Sequence, residues 1–266
     1  MCYLFIPYSN SCRCHIPGPG VSAIHPNIPA IFNTYRPSFE NDGPEHRLQI
    51  LKPLEGDTRS SVFHVYAENI QPNAPAQAGG NCAAKLAFRH YGLKVHQALA
   101  PDFAPMLLGV SSKPEIGASL YLMEYLAPPA QDQEGWVTLG NLSAELVHNQ
   151  HEEICSALST FAKHLQSLEL VHGDLRPNNI MIQVKAGFEI AVPVIIKVID
   201  FEWADVVHKG RYPMHRNAEV GYPGTPGGLI ETSHDAEMVR RCQHHVHKIR
   251  SEPLGHNPNV NTLPKM

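Results

Sequence analysis

Between residues 149 and 168 the apolar side chains Ile154, Leu158, Phe161, Leu165 and Leu168 fall three and four positions apart, which is the repeat of a helix with one buried face. Asn149-Gln-His-Glu152 has capping-box spacing and is expected to open that helix. Upstream the apolar runs are short and separated by turn residues. Residues 48–51 and 61–67 read as strands joined through Glu55-Gly56-Asp57, and Cys82-Ala-Ala-Lys-Leu-Ala87 reads as a third. A helix is expected over 88–100, ended by Pro101, then strands at 105–110 and 119–125, with a break at Pro128-Pro129. Downstream, 180–184 and 194–199 are β-rich, 212–228 is a Pro/Gly-rich loop, and a last helix runs from His234 to about Arg250. Residues 1–47 carry 7 of the 23 prolines and no sustained period, so they read as a disordered or extended arm. No repeat is present.

Composition narrows the class. A chain of 266 residues allows one large domain or two small ones. With 43% apolar and 17% charged residues it reads as globular, and neither as charge-rich disorder nor as a coiled coil. The net charge of -4 gives no general attraction to nucleic acid or an anionic membrane, so neither is expected as a partner. The most apolar stretch, 190–199, is half a bilayer span and is interrupted by Pro193 and Lys197. Six scattered cysteines and the lack of a signal-like start point to a reducing intracellular setting, cytoplasmic or nuclear. Cys12, Cys14 and His15 are too tightly spaced for a structural zinc site and have no second ligand pair nearby. His244, His245 and His247 read as a solvated helix face.

The chemistry concentrates after the long helix, in Val171-His-Gly-Asp-Leu-Arg-Pro-Asn-Asn-Ile180, followed by Asp200-Phe201-Glu202 at a strand end. Such a set suits phosphoryl transfer, where positioning and electrostatics do most of the work. Asp174 can orient a hydroxyl and take its proton, and Arg176 can offset γ-phosphate charge. Asn179 and Asp200 offer the hard oxygen ligands that Mg²⁺ prefers.

In order and spacing these residues resemble the protein-kinase superfamily, with its H-R-D-L-x-x-x-N loop and D-F-G triplet. The resemblance implies an α+β, two-lobed fold with a small antiparallel-sheet N-lobe at about 48–126 and an abbreviated helical C-lobe at about 127–250, between an arm at 1–47 and a flexible tail at 251–266. It implies ATP and Mg²⁺ as cofactors and a hydroxyl-bearing acceptor, a protein Ser or Thr. Cys82-Ala-Ala-Lys85 is similar to the V-A-I-K strand, which implies Ala83 near the adenine and Lys85 on the α/β-phosphates. Leu120-Tyr-Leu-Met-Glu-Tyr-Leu126 looks like the strand entering the kinase hinge, which implies Met123 at the back of the pocket and the main chain of Glu124 and Leu126 on the adenine edge. His172 is expected to pack beside Phe201 and not to act as a base. Asp235 either opens the last helix or bonds the backbone of the loop holding Asp174.

Four departures qualify the resemblance. Where the family has G-x-G-x-x-G-x-V, Glu55-Gly-Asp-Thr-Arg-Ser-Ser-Val62 contains only one glycine, which loosens the expected phosphate cover. The stretch 88–100 has no Glu to pair with Lys85, which leaves Asp200 or Asp102 as its partner, or the lysine less well held as in a pseudokinase. Glu202 replaces the Gly of D-F-G; this acid and the His-Gly-Asp order are shared with choline-kinase-like and aminoglycoside-phosphotransferase-like enzymes, so small-molecule transfer is an alternative. With no A-P-E motif, the whole looks most like the shortened protein-kinase-like proteins of fungi, through Tyr212-Pro213, Asn217 and His234-Asp235.

Overall fold

The computed structural model describes residues 31–37, 44–54, 61–70, 79–88 and 90–251. They divide into two units, one formed by residues up to 91 with 105–125 and 213–221, the other by 92–104, 126–212 and 222 onward.

The first unit is built on a six-stranded antiparallel sheet. Its strands are β1 (Thr34–Tyr35), β2 (His46–Pro53), β3 (Val62–Ala67), β4 (Gly80–Phe88), β5 (Leu107–Lys113) and β6 (Ala118–Glu124), in the spatial order β1-β2-β3-β4-β6-β5. Side chains alternate between faces along each strand. One face gathers Phe63, Val65, Cys82, Ala84, Leu86, Leu120 and Leu122 into the core. The other face carries Val62, His64, Ala83, Lys85, Tyr121 and Met123, since Lys85 lies opposite Val62 on one side and Tyr121 on the other, while Ala83 lies opposite His64 and Met123. β4 lies in the interior of the sheet, and its residues 82–87 are buried on both faces, so they show no amphipathic alternation.

The sheet begins upstream of residue 48. Thr34–Tyr35 pairs with Arg47 and His46, Phe32 and Tyr35 are buried, and the Tyr35 hydroxyl donates to the Glu68 carbonyl at 2.5 Å. Two aromatic side chains in a Pro-rich context have no periodicity to betray them, whereas burial of that much apolar area is reason enough for them to dock.

The helix expected over 88–100 is shorter. β4 extends to Phe88, which pairs with Ala118, and helix α1 spans Leu93–Leu99 in the second unit. Gly92 precedes it with its N–H donating to the Phe201 carbonyl at 2.8 Å, and a Cβ there would lie 2.5 Å from the Ala204 carbonyl oxygen, so only glycine lets the chain turn in at this point.

The second unit is helical, with helices α2 (Ala144–His148), α3 (His151–Ser167) and α4 (Thr232–Arg250). α3 buries Ile154, Leu158, Phe161 and Leu165, as the periodicity predicts. Its expected capping box does not form. Ser143 caps the short helix α2, Asn149 ends that helix, and Gln150 starts α3 without a side-chain cap. The capping box lies instead at α4, where Glu231 and His234 satisfy each other's backbone N–H groups and set the helix start two residues before His234. α3 and α4 are joined by the Gln243 amide, which donates to Cys155 O at 3.0 Å and Ser159 Oγ at 2.8 Å. Strands β7 (Gly135–Thr138), β9 (Ile180–Lys185), β10 (Glu189–Ile190) and β11 (Ile196–Val198) form a small sheet, and β8 (Leu170–Val171) pairs with β12 (Asp205–Val206). The fold is α+β, with the element order that the kinase resemblance implies. Among the described residues no helix is long and apolar enough to cross a membrane.

Candidate functional site

β8 delivers the chain into the loop 172–179, and the loop's shape is fixed by residues outside it. The buried Asp235 carboxylate accepts the His172 N–H at 2.6 Å and the Gly173 N–H at 2.9 Å. Gly173 sits at φ +81, and a Cβ on it would be 2.6 Å from Ile230 Cδ1, so both backbone conformation and space require glycine. Burial pushes Asp235 up to about 6 against the lowering effect of these two backbone N–H groups. His172 is fully buried with its ring 5.0 Å from that of Phe201, and its Nδ1 accepts the Asp174 N–H at 3.3 Å. Burial outweighs the charge of Asp200 and holds His172 down at about 4, so it is a neutral packing group, as expected from the sequence.

Asp174, Arg176 and Asn179 come together. The Asn179 amide donates to the Asp174 carbonyl at 2.9 Å and to Asp174 Oδ2 at 3.0 Å. Arg176 Nε lies 3.0 Å from Asp174 Oδ1, and the Tyr222 hydroxyl donates to that same oxygen at 2.7 Å. The Asp174 residue is only 4% exposed. Burial raises its carboxyl to about 7; Asp200 adds to the rise, while Arg176 and the Tyr222 hydroxyl oppose it. A carboxyl poised near neutrality beside a cation has the protonation behaviour of a general base.

Asp200 lies within electrostatic range of Asp174 and adopts φ +70, a conformation that costs a non-glycine residue of order 1 kcal/mol or more. Neighbouring contacts hold it: Ile199 N–H donates to Asn179 O at 3.0 Å, and Phe201 is fully buried with the His96 ring stacked on it at 4.3 Å and 13°. With the Asn179 NH₂ committed to Asp174, its amide oxygen is the atom left to act as a ligand beside a carboxylate from Asp200. One carboxylate and one amide oxygen, with the rest from water and phosphate, is a donor set that fits Mg²⁺. Among the described residues no group of three or more His, Cys, Asp and Glu side chains is arranged to hold a metal by itself.

Of the residues expected at a nucleotide, Ala83, Lys85 and Met123 lie on the face of the first unit's sheet opposite its core, and all three are buried. Ala83 and Met123 are cross-strand neighbours there, and the buried Lys85 donates from Nζ to Ser61 Oγ at 3.0 Å. The Glu124 N–H donates to the Met106 carbonyl at 2.8 Å, which removes that donor from the set expected on an adenine edge. Leu126 is half-buried just beyond β6. α1 contains no acidic residue; its buried polar side chain is His96, and the sequence gives no hint that this ring stacks on Phe201. Residues 55–60 of the degenerate glycine loop, and Cys12, Cys14 and His15, lie outside the described residues. Tyr222 is the contact that sequence reasoning missed, because no spacing rule links a residue in a Pro/Gly-rich loop to one 48 positions earlier.

No family model matches the chain, and no curated protein matches it. Among solved structures, it is similar to the kinase PK-1 of Cydia pomonella granulovirus, with 14% sequence identity over 75% of this chain and 70% of that one and a TM-score of 0.47.

Proposed function

We propose that the chain is an ATP-dependent phosphotransferase of protein-kinase type that moves a γ-phosphoryl group to a protein Ser or Thr hydroxyl. The observation that supports this reading is the buried Asp174 carboxylate, held by Asn179 and Arg176 in a loop that Asp235 anchors from below. In this reading Asp174 orients the acceptor hydroxyl and takes its proton, and Arg176 offsets charge on the moving phosphoryl group. Asn179 and Asp200 hold Mg²⁺, whose role when bound is to neutralise charge on the phosphates. Lys85 meets the α/β-phosphates, and Ala83 and Met123 enclose the adenine. The acid-free helix α1 favours a second reading, in which the chain binds nucleotide without turning it over.

Thermal stabilisation by ATP separates nucleotide binding from its absence. A ligand that binds only the folded chain at a hundred times its Kd stabilises it by about 2.7 kcal/mol. Both readings predict a Mg²⁺-dependent rise in Tm at millimolar ATP, and no rise overturns both.

A further inference from the structure

We infer that His64 is a contact for the base of the nucleotide, its Nε2 hydrogen-bonding the edge of the purine ring that Ala83 and Met123 enclose. This rests on the reading of Ala83, Lys85 and Met123 as nucleotide-binding, and it adds a side chain that selects the base.

The placement follows from strand register. His64 on β3 lies directly opposite Ala83, and Ala83 lies opposite Met123, so the three form one row across β3, β4 and β6 on the face away from the core. Neighbouring strands are about 5 Å apart, which puts the His64 and Met123 backbones about 10 Å apart with the methyl of Ala83 between them. The next row along the same face is Val62, Lys85 and Tyr121. A nucleotide with its phosphates at Lys85 and its ring over Ala83 therefore meets His64 on the β3 side and Met123 on the β6 side.

His64 has an unused hydrogen-bonding atom in a fixed position. Its Nε2 is buried and has no hydrogen-bond partner among the described residues. Buried polar atoms are nearly always bonded, and leaving one unbonded costs free energy that a ligand can restore. The ring is stacked on that of Tyr125, just past the end of β6, with centroids 4.5 Å apart and planes at 20°. Its orientation is thus set before a ligand arrives, which lowers the entropy lost on binding. The stack by itself calls for an aromatic ring and gives no reason for a nitrogen; the unbonded nitrogen is what points to a ligand. Nε2 of a neutral imidazole donates or accepts according to its tautomer. An adenine edge offers ring nitrogens that accept and an amine that donates, so either tautomer finds a match. The Glu124 N–H is already donated to Met106 O, so a side chain supplies at this end of β6 what that main-chain group has given up.

His64→Phe keeps a ring to stack on Tyr125 and removes the nitrogen. The test measures Kd for ATP with Mg²⁺ in the full-length wild type and in H64F by calorimetry. It also follows the His64 ring nitrogens by NMR in nitrogen-15-histidine-labelled wild type, identified by their absence from His64→Gln. The loss of one hydrogen bond raises the Kd for ATP about five- to tenfold in H64F. In the wild type, ATP shifts the Nε2 resonance of His64, and inorganic tripolyphosphate at the same concentration leaves it in place. If H64F does not fold, the wild-type resonance decides alone. Equal affinity of H64F and wild type for ATP, or an Nε2 resonance that ATP does not move, overturns the base contact and leaves nucleotide binding standing. An equal shift with tripolyphosphate also overturns it, since the nitrogen then responds to phosphate and not to the base. If the wild type binds no ATP, the nucleotide-binding reading falls and the contact falls with it.

Discussion

Asp235 and His172 are 63 residues apart in the chain, and the carboxylate of one accepts the backbone N–H of the other at 2.6 Å, with Gly173 N–H bound alongside at 2.9 Å. The first turn of α4 therefore holds the loop that carries Asp174. Asp235→Ala orphans two buried backbone donors at a cost of about 1–3 kcal/mol each, so urea unfolding should show a loss of about 3 kcal/mol with an unchanged m-value. Asp235→Asn retains one acceptor and should lose about half as much. Equal stability of Asp235→Ala and wild type contradicts the anchoring role.

The pH dependence of activity follows from Asp174. Its carboxyl is raised to about 7, and the base has to be deprotonated to act, so log kcat should climb with pH up to about 7 and level off above it. Arg176 pulls the value down, so Arg176→Gln should move the midpoint upward. A midpoint near 4 in the wild type contradicts the buried environment assigned to Asp174.

Stability carries the same signature with a defined sign. A carboxyl raised in the folded state contributes stability that is full below its unfolded value near 4 and lost as pH rises through about 7. The difference in unfolding free energy between wild type and Asp174→Asn should therefore shift in favour of wild type as pH is lowered from 7 to 4. His172, held at about 4, acts in the opposite direction, losing its contribution as pH falls below 6.5, but it is common to both proteins and cancels in the difference.

Lys85 gives a prediction for the sheet face. It is buried and donates to Ser61 Oγ, on the face that carries Ala83 and Met123. Replacing an ammonium that meets phosphate by an uncharged chain of similar length, Lys85→Met, should weaken ATP binding about tenfold or more, read as a smaller Tm rise at fixed nucleotide. An unchanged nucleotide-induced rise shows that Lys85 does not contact the phosphates.

Much of this arrangement was legible in the sequence because it is local. Ile154, Leu158, Phe161 and Leu165 announce α3 by period alone, and Asp174, Arg176 and Asn179 lie within six residues, so a single turn of chain brings them together. Asp235 was readable as one of two alternatives, since only the folded chain decides whether a carboxylate at a helix start faces the dipole or a distant loop. Phe32 and Tyr35 docked against the sheet without any periodic signal, and Phe88 continued β4 where a helix was expected because strand pairing with Ala118 outweighed local propensity. Tyr222 and His96 act through long-range contacts, to Asp174 and Phe201, that no local pattern encodes.

The central claim is tested most directly by transfer of labelled γ-phosphate from ATP·Mg²⁺ to casein by the wild type and by Asp174→Asn. A missing general base costs about 10² to 10⁴ in rate. The account predicts a loss of kcat of that size in a variant that still folds and still gains Tm with ATP. Equal transfer by the two proteins contradicts it.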